Sequence, residues 1–483
     1  MVRFAKIVAT LGPSSSDEPR LREMIEAGLD VARLNFSHGT REEHKQRIQT
    51  LRNLSRELGK PVTILIDLQG PKLRIGNLAE EPLKLKAGQM VALSSETNPE
   101  NLRKGTAFIP FDVPMLHKAL MPGNHILLDD GNLEFEVTEI DGKNIYAKVL
   151  LGGALRSHKG VNLPGSKLNI PILTPKDKED LAFGLENEVD LVAVSFVKQG
   201  KDIETVRVMM QKFKPQGHLP PIVAKLERPE AINNLEEIMQ VTDGVMVARG
   251  DLGVEMSPAV VPSVQKEIIK LANQTGKFVI TATQMLESMI NNPRPTRAEA
   301  ADVANAIFDG TDAVMLSAET AIGKYPVQSI RMMDSIIRES ESHMADWGHL
   351  HTLQSRNLGD DAVSITRAAK DLTKDKDVEA IVVFTLSGNT ALWMSKNKAR
   401  VPIYAFTPDL STYHWLGVCW GVIPLLVPHA DTLETMIMHV ETAISTSTPL
   451  RAGAQVVVIT GFPVGSIVKP NLALLYSIKG DGG

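Results

Sequence analysis

The sequence predicts an α/β fold built on a (β/α)8 (TIM) barrel, with an inserted small β-barrel lid domain and a C-terminal open-sheet α/β domain. Apolar, β-branched runs alternate with segments of helical period, and the first eight match the strand count of this barrel. Most of these runs start about 25 to 35 residues apart, which is the length of one strand, loop and helix. One interval is far longer, and further strands follow the eighth run.

The eight runs divide the chain into a barrel and an insertion. The predicted barrel strands are Ala5–Leu11, Val31–Phe36, Val62–Leu68, Asp190–Phe196, Ile222–Leu226, Gly244–Ala248, Phe278–Thr281 and Ala313–Leu316. More than a hundred residues separate the third run from the fourth, and their short alternating segments and turn signals indicate a small all-β domain. We assign 1–70 and 171–345 to the barrel. Residues 71–170 form a hinged domain placed to act as a lid.

The remainder, 346–483, predicts an open α/β sheet. Its strand candidates are Glu379–Phe384, Pro402–Phe406, Val422–Val427 and Ala454–Thr460. The loop between the first of these strands and a helix reads Thr385-Leu386-Ser387-Gly388-Asn389-Thr390. Hydroxyls and free amides at a helix start can bind an anion, although the pattern alone favours an N-cap turn.

Composition excludes several classes of protein. The 483 residues are 43% hydrophobic and 23% charged, with a net charge of -5, as in a soluble globular protein. Without a long basic run, neither nucleic acid nor an anionic membrane is an expected partner. The N-terminus resembles neither a signal peptide nor a membrane span, so a cytoplasmic location is expected. The single cysteine, Cys419, is expected to pack as a small hydrophobe.

Two strand ends suggest a site for a metal and an anion. The run Gly244–Ala248 ends in Arg249-Gly250-Asp251, and the strand before it carries Lys225 and Glu227 on one face. Active sites of parallel α/β folds lie at such ends. Two carboxylates suit Mg2+, and a lysine beside them suits a phosphorylated ligand. Either stretch alone fits an ordinary surface ion pair equally well.

The other runs end in residues of the same kind. If the barrel forms, its mouth also receives Arg33, Asn35, Ser37, His38, Asp67, Arg74, Thr283, Gln284, Ser317 and Glu319. Such a rim predicts a phosphorylated, carboxylated small molecule bound through Mg2+, with positioning and charge stabilisation carrying the chemistry, as in phosphoryl transfer. A Walker A loop and a protein-kinase signature are both absent from the sequence.

Five long motifs closely resemble the pyruvate kinase family, and the resemblance covers essentially the whole chain. They are Arg33-Leu34-Asn35-Phe36-Ser37-His38, Asp67-Leu68-Gln69-Gly70-Pro71-Lys72-Leu73-Arg74, Val247-Ala248-Arg249-Gly250-Asp251-Leu252-Gly253, Ala282-Thr283-Gln284-Met285-Leu286-Glu287-Ser288-Met289 and Met315-Leu316-Ser317-Ala318-Glu319-Thr320. The resemblance implies transfer of the phosphoryl group of phosphoenolpyruvate to ADP, giving ATP and, after protonation of the enolate, pyruvate.

The resemblance also implies residue roles. Glu227 and Asp251 would hold Mg2+, for which Mn2+ can substitute, and Lys225 with Arg33 would neutralise the phosphoryl group. The substrate carboxylate would meet the amides of Gly250 and Asp251, with Thr283 closing that end. Thr283 and Ser317 would hold the water chain that delivers the proton. Arg249 and Glu319 would brace the site. The ADP-side contacts would be Asn35, His38, Arg74 and Lys176, although a hydrogen-bonded loop residue and a solvated lysine are nearly equal readings for His38 and Lys176.

The chain departs from the family at its monovalent-cation region. Many members bind K+ near the positions of Asn35, Ser37, Asp67 and Leu68, where they carry Asp-Thr and a glutamate after Gly-Pro. Leu68 removes an oxygen ligand here, and Lys72 reverses the local charge. We hypothesise that Lys72 is a built-in cation and that K+ is not required. The alternative is a solvated lysine after a turn.

The resemblance extends to regulation and assembly. Thr385, Ser387, Asn389 and Thr390 match the place where family members hold the phosphate of an allosteric effector, and a homotetramer is implied. Two other readings stay open, a Mg2+-dependent pyruvate or phosphoenolpyruvate aldolase or lyase and a non-enzymatic metabolite-binding regulator.

Overall fold

The computed structural model describes residues 2–96, 102–103, 105–111, 113, 116–165, 170–354, 360–374, 377–464 and 468–479. Eight parallel strands, numbered in chain order, close into a barrel. They are β1 (Lys6–Leu11), β2 (Val31–Asn35), β3 (Thr63–Leu68), β12 (Leu191–Val194), β13 (Ile222–Leu226), β14 (Gly244–Ala248), β15 (Phe278–Ala282) and β16 (Ala313–Leu316). Neighbours in this order pair with each other, and β16 pairs with β1. The predicted strands are confirmed within two residues at each end.

Helices surround the barrel and follow its strands. They are α1 (Glu18–Ala27), α2 (Arg41–Glu57), α4 (Pro175–Glu186), α5 (Gly200–Phe213), α6 (Pro229–Asn233), α7 (Leu235–Val241), α8 (Arg249–Glu255), α9 (Val261–Thr275), α10 (Arg297–Phe308), α11 (Ala318–Ala321), α12 (Pro326–Ser342) and α13 (Met344–Trp347). Among them, α2, α4 and α10 begin at a capping box with a threonine as N-cap, namely Thr40, Thr174 and Thr296. In each box the threonine and an acidic residue three positions later satisfy each other's backbone amides.

Between β3 and α4, the described residues of the inserted segment are all-β apart from one short helix, as predicted. It contains β4 (Leu83–Leu85), β5 (Met90–Ser94), β6 (Ala107–Pro110), α3 (Leu116–Ala119), β7 (His125–Leu128), β8 (Leu133–Asp141), β9 (Asn144–Leu151), β10 (Gly153–Leu155) and β11 (Val161–Asn162). Six of these strands form a curled sheet in the order β11-β7-β8-β9-β5-β6, and β10 pairs with β4. Asp129 pairs with Lys159 at 2.7 Å.

The C-terminal part is an open five-stranded sheet in the order β19-β18-β17-β20-β21. Its elements are α14 (Asp360–Leu372), β17 (Val378–Phe384), α15 (Asn389–Ser395), β18 (Ile403–Thr407), α16 (Leu410–Trp415), β19 (Val422–Leu426), α17 (Leu433–Ser447), β20 (Gln455–Thr460) and β21 (Leu472–Ser477). The four predicted strands are present. The fifth, β21, was not predicted, and it pairs antiparallel with β20 at the sheet edge.

Buried charges join the C-terminal part to the floor of the barrel. Asp312, just before β16, pairs with Lys396 and Lys398, which follow α15, and all three side chains are fully buried. Cys419 is buried as well, as expected. We keep 1–70 with 171–345, 71–170 and 346–483 as the proposed limits of the three units. Across the described ranges, no helix is both long and apolar enough to span a membrane.

Candidate active site

The centre of the barrel mouth holds Lys225 between two buried carboxylates. Lys225 and Glu227 flank Leu226 at the end of β13, so the alternation of an extended chain directs both to one side. The Nζ atom of Lys225 lies 2.8 Å from Oε1 of Glu227 and 3.2 Å from Oδ1 of Asp67, and it donates to Oγ of Ser195 at 2.7 Å. Of Lys225, Glu227 and Asp251, which were expected to converge, the first two are in contact, and Asp67 joins them.

This burial and charge set the protonation of the cluster. Burial acts to lower the pKa of Lys225, but Asp67 and Glu227 outweigh it, and the pKa lies well above its usual value. Burial acts to raise the pKa of Asp67, yet Lys225 and Arg33 hold it below its usual value. For Glu227 burial outweighs the effect of Lys225, and nearby Asp251 adds to it, so the pKa is raised. A cation that joined Glu227 to Asp251 would relieve this repulsion.

Arg33 is held in position by two neighbouring strands. Its Nε donates to Oδ2 of Asp67 at 2.7 Å, and its Nη1 donates to Oγ1 of Thr10 at 2.8 Å. Because Asp67 contacts both Arg33 and Lys225, one buried carboxylate orients two cations towards the mouth. Two positive groups held in this way form a ready site for a phosphoryl group.

The short helix α8 begins at the mouth with Arg249, Gly250 and Asp251. The amide of Gly250 donates to Oγ1 of Thr283 at 2.8 Å. Thr283 has φ of 69°, in the left-handed region that a β-branched residue rarely adopts. Arg249 supports this strained loop, since its guanidinium donates to the carbonyls of Ala282 and Thr283. Such strain persists only where neighbouring contacts impose it.

The side chains of Arg249 and Glu319 bind to neighbouring residues of the protein around the site. Arg249 also pairs with Asp302 at 2.7 Å. Glu319 is buried and accepts the amides of Ser317 at 2.7 Å and Leu286 at 3.1 Å. The hydroxyl oxygen of Ser317 is buried, and it has no hydrogen-bond partner among the described residues.

The predicted nucleotide residues lie at two places on the rim. The loop after β2 carries Asn35, whose Oδ1 accepts the amide of Ser37 at 3.1 Å, and an exposed His38. Lys176 of α4 joins this loop, because its Nζ donates to the carbonyl of Phe36 at 2.7 Å. Arg74 lies in the inserted segment, where it donates to the carbonyl of His158 at 2.9 Å.

In the monovalent-cation region, Asp67 and Leu68 lie at the end of β3, and Lys72 lies beside the inserted segment. Leu68 is buried, and Asp67 is paired with Arg33 and Lys225. Lys72 has an exposed side chain whose Cε passes beside Gly160 of the inserted segment. In the described part of the chain, no ion pair joins Lys72 to Asp67.

Comparisons with known proteins all point to one family. The family model "Pyruvate kinase, barrel domain" matches residues 2–330, and "Pyruvate kinase, alpha/beta domain" matches residues 363–475. A pyruvate kinase of Agrobacterium vitis is 41% identical over 97% of both chains, and one of Clostridium perfringens is 41% identical over 98% of this chain and 99% of its own. The crystal structure of a Cryptosporidium parvum pyruvate kinase superposes with a TM-score of 0.89 at 32% identity, covering 99% of this chain and 96% of that one.

The chain belongs to the pyruvate kinase family.

Membership of the pyruvate kinase family confirms the predicted fold class and the predicted phosphotransferase class. Family membership favours a kinase over an aldolase, a lyase or a metabolite-binding regulator. The relatives are named pyruvate kinase, and they match this chain over nearly the whole of both sequences.

The loop that resembles the effector site of pyruvate kinases joins β17 to α15, as predicted. Oγ1 of Thr385 accepts the amide of Gly388 at 3.0 Å, which is the local turn that the alternative reading expected. Gly388 has φ of 84°, and a Cβ there would come within 2.2 Å of the Trp415 ring, so the position requires glycine. A cavity of about 230 Å³ borders this loop and is lined by Thr385, Ser387, Asn389 and Thr390, together with Lys469.

Sequence reasoning missed two residues of the pyruvate kinase site. Ser195 receives a hydrogen bond from Lys225, and the amide of Phe196 donates to Oε2 of Glu227 at 2.9 Å. Both directly follow β12, but the predicted strand Asp190–Phe196 included them, so they were not counted among the residues after a strand. Thr10, which bonds Arg33, is the last residue but one of the predicted first strand and carries no separate signal.

Proposed function

We propose that this chain transfers the phosphoryl group of phosphoenolpyruvate to ADP at the barrel mouth, as in the last step of glycolysis. The observation that carries the proposal is the fixed cluster of Lys225 with Asp67 and Glu227, beside Arg33 and Asp251. It offers two cations for a phosphoryl group and two carboxylates for a metal. Such groups stabilise the charge of a loose transition state without a protein nucleophile.

Glu227 and Asp251 are the proposed Mg2+ ligands. Their carboxylate oxygens are the donors that this hard cation prefers, and their mutual repulsion favours a shared cation. With two protein ligands, the rest of the coordination would come from substrate and water, and Mn2+ suits the same donors. Bound there, the metal would supply Lewis-acid stabilisation of the developing negative charge.

Lys225 and Arg33 are the proposed phosphoryl-binding residues. Because the pKa of Lys225 is raised, its charge is present throughout the physiological range, which suits a cation that neutralises the group in transfer. The substrate carboxylate is assigned to the amides of Gly250 and Asp251 at the start of α8, where it would take the place of Oγ1 of Thr283 as acceptor of the Gly250 amide, with Thr283 closing that end.

Thr283 and Ser317 are the residues proposed to guide a proton to the enolate. The Ser317 hydroxyl is buried with no hydrogen-bond partner among the described residues, so it has a free donor for a water molecule. The Thr283 hydroxyl already donates to the carbonyl of Ala282 at 2.6 Å. A chain of water between these hydroxyls is therefore the proposed route.

The nucleotide is placed at the opposite part of the rim. Asn35 and His38 lie at the end of β2 and in the loop after it, Lys176 bonds to that loop, and Arg74 belongs to the inserted segment. ADP would bring its own Mg2+ to this place. Closure of the lid would move Arg74 over the phosphates and exclude water.

A coupled assay tests the proposed reaction. Pyruvate is measured from phosphoenolpyruvate and ADP with Mg2+, and Lys225→Met is expected to lower kcat by about 10²- to 10³-fold, the loss typical of a missing charge-stabilising group. An aldolase or lyase would be indifferent to ADP, and a regulator would show no turnover. Either result in the unmodified protein would refute the proposal.

Independence from K+ is a separate proposal, supported by buried Leu68 and by Lys72. The exposed Lys72 side chain lies beside Gly160 of the inserted segment, and movement of the lid is proposed to bring it to the region near Asp67. The measurement is the rate in buffer free of monovalent metal ions, before and after added KCl. Strong activation by K+ would refute this proposal and leave the main reaction untouched.

Activation by a phosphorylated metabolite is proposed at the loop of Thr385, Ser387, Asn389 and Thr390. The bordering cavity and Lys469 within its lining support an anionic ligand there. Ser387→Asp is expected to abolish activation by sugar phosphates or AMP through charge repulsion. Unchanged cooperativity in this variant would refute the assignment. A homotetramer is proposed from the family, and sedimentation would test it.

A further inference from the structure

The short helix α8 carries a second carboxylate, Glu255, four residues after Asp251. Residues four apart lie on the same side of a helix, so Glu255 sits one turn beyond the proposed metal ligand. Only 7% of its surface is exposed. Burial is the main reason that its pKa is raised. A buried acid at this place needs a partner, because an unpaired buried charge is costly.

The partner comes from the inserted domain. Nδ2 of Asn162 on β11 donates to Oε1 of Glu255 at 2.8 Å. The tip of a neighbouring turn approaches the same helix, since a Cβ on Gly131 would lie 3.7 Å from Cγ1 of Val254. The lid therefore touches α8 at two points, and one of them is a specific hydrogen bond.

The other carboxylate oxygen of Glu255 lies near the Arg228 guanidinium but does not form a hydrogen bond with it. Oε2 lies 4.0 Å from an Nη2 atom of Arg228, which directly follows Glu227. Oε2 of Glu255 is buried, without a hydrogen-bond partner among the described residues, and the guanidinium of Arg228 makes only a loose ion pair elsewhere, with its Nε 3.7 Å from Oε2 of Glu230. A small approach of α8 to the end of β13 would complete this ion pair. That approach would also bring Asp251 towards Glu227.

We propose that Glu255 is a positioning residue that couples lid closure to the metal site. Asn162 holds one of its oxygens and Arg228 lies 4.0 Å from the other, so movement of the lid is transmitted through Glu255 to the orientation of α8 and to the distance between Asp251 and Glu227. The inference rests on the proposed function, because the site that it positions is the proposed Mg2+ and phosphoenolpyruvate site.

An exchange of donor and acceptor tests the contact. Asn162→Asp sets two carboxylates against each other and is expected to lower kcat/KM for phosphoenolpyruvate by about tenfold and to raise the Mg2+ concentration needed for half activity. Asn162→Asp with Glu255→Gln restores the hydrogen bond in the opposite direction and is expected to return to within about threefold of the unmodified protein. Asn124→Asp is the matched control, since its Oδ1 only accepts the amide of Met121 within the lid.

Hydrogen–deuterium exchange adds a readout that does not depend on turnover. Phosphoenolpyruvate with Mg2+ is expected to protect α8 and β11 in the unmodified protein, to fail to do so in Asn162→Asp, and to do so again in the double variant. Normal kinetics and protection in Asn162→Asp, or no rescue by Glu255→Gln, would overturn the proposal. Failure of the proposed function would instead appear as an inactive unmodified protein.

Discussion

At the scale of single residues, the neighbours of Lys225 determine the protonation of this buried cation. Its ammonium group contacts Glu227, Asp67 and Ser195, and the two acids raise its pKa. A cation whose pKa is raised gives up its proton less readily, so it is a poor general acid for the enolate. We therefore propose that Lys225 acts through charge and that the proton comes by another route, for which the buried Ser317 hydroxyl is the proposed start.

The buried carboxyl group of Glu341 is expected to make the stability of the fold depend on pH. Its carboxylate accepts the amides of Phe4 and Ala5 at 2.9 and 2.6 Å. Burial outweighs these bonds and the nearby charges of Arg3 and Lys398, and it raises the pKa to about 7. The folded chain therefore binds this proton more tightly than the unfolded chain. The resulting stabilisation is complete below the unfolded pKa near 4.5 and is lost as the pH rises through about 7, a change of about 3 kcal/mol.

Thermal unfolding between pH 5 and pH 8 measures this effect. The unmodified protein is expected to lose stability across that range, and Glu341→Gln, which stays neutral, is expected to lose less. Glu339→Gln on the same helix is the control, since Glu339 is largely exposed. An equal loss in Glu341→Gln and in the unmodified protein would contradict the assignment.

At the scale of elements, a substitution at Gly250 in α8 is expected to affect substrate binding without lowering the stability of the fold. A Cβ at this position would lie 3.5 Å from Oγ1 of Thr283, an ordinary contact, so the fold accepts alanine. Alanine is favoured over glycine inside a helix by up to about 1 kcal/mol. Gly250→Ala is therefore expected to keep or raise the melting temperature while raising KM for phosphoenolpyruvate by about tenfold, because the methyl group would crowd the substrate carboxylate. A raised melting temperature with an unchanged KM would remove Gly250 from the proposed site.

The elements also show which features a sequence can predict. The barrel strands were predictable because each is an apolar run buried on both faces and followed by a helix, and the rim residues followed from their place after those runs. β21 was missed, since it is an edge strand whose side chains are half exposed and whose pairing with β20 is a tertiary contact. The left-handed conformation of Thr283 was also beyond reach, because the contacts of Arg249 impose it. Likewise, Lys72 could be recognised as unusual, but its position depends on the placement of the inserted segment.

At the scale of the whole molecule, the domains are joined by charges rather than by apolar contacts alone. Oδ2 of Asp312 accepts the amide of Val279 at 2.8 Å, which ties it to the base of β15. Its carboxylate also holds Lys396 and Lys398 from the C-terminal part, and Lys396 reaches Oδ1 of Asn273 at 3.1 Å. The floor of the barrel and the segment that follows the effector loop therefore share one buried anion.

Loss of the Asp312 charge alone should lower the stability of the fold far more than loss of all three charges of Asp312, Lys396 and Lys398. Asp312→Asn keeps an acceptor for Val279 but leaves two buried ammonium groups unpaired, so we expect a loss of about 3–5 kcal/mol, seen as a lower midpoint of the first calorimetric transition. Adding Lys396→Met and Lys398→Met removes the unpaired charges and should recover most of that loss, because apolar replacement of a buried ion pair is often neutral. Asp371→Asn, which breaks an exposed pair with Lys374, is the control and should change little. If the triple variant is as unstable as Asp312→Asn alone, the cluster acts by shape and hydrogen bonding, and charge is not what couples the domains.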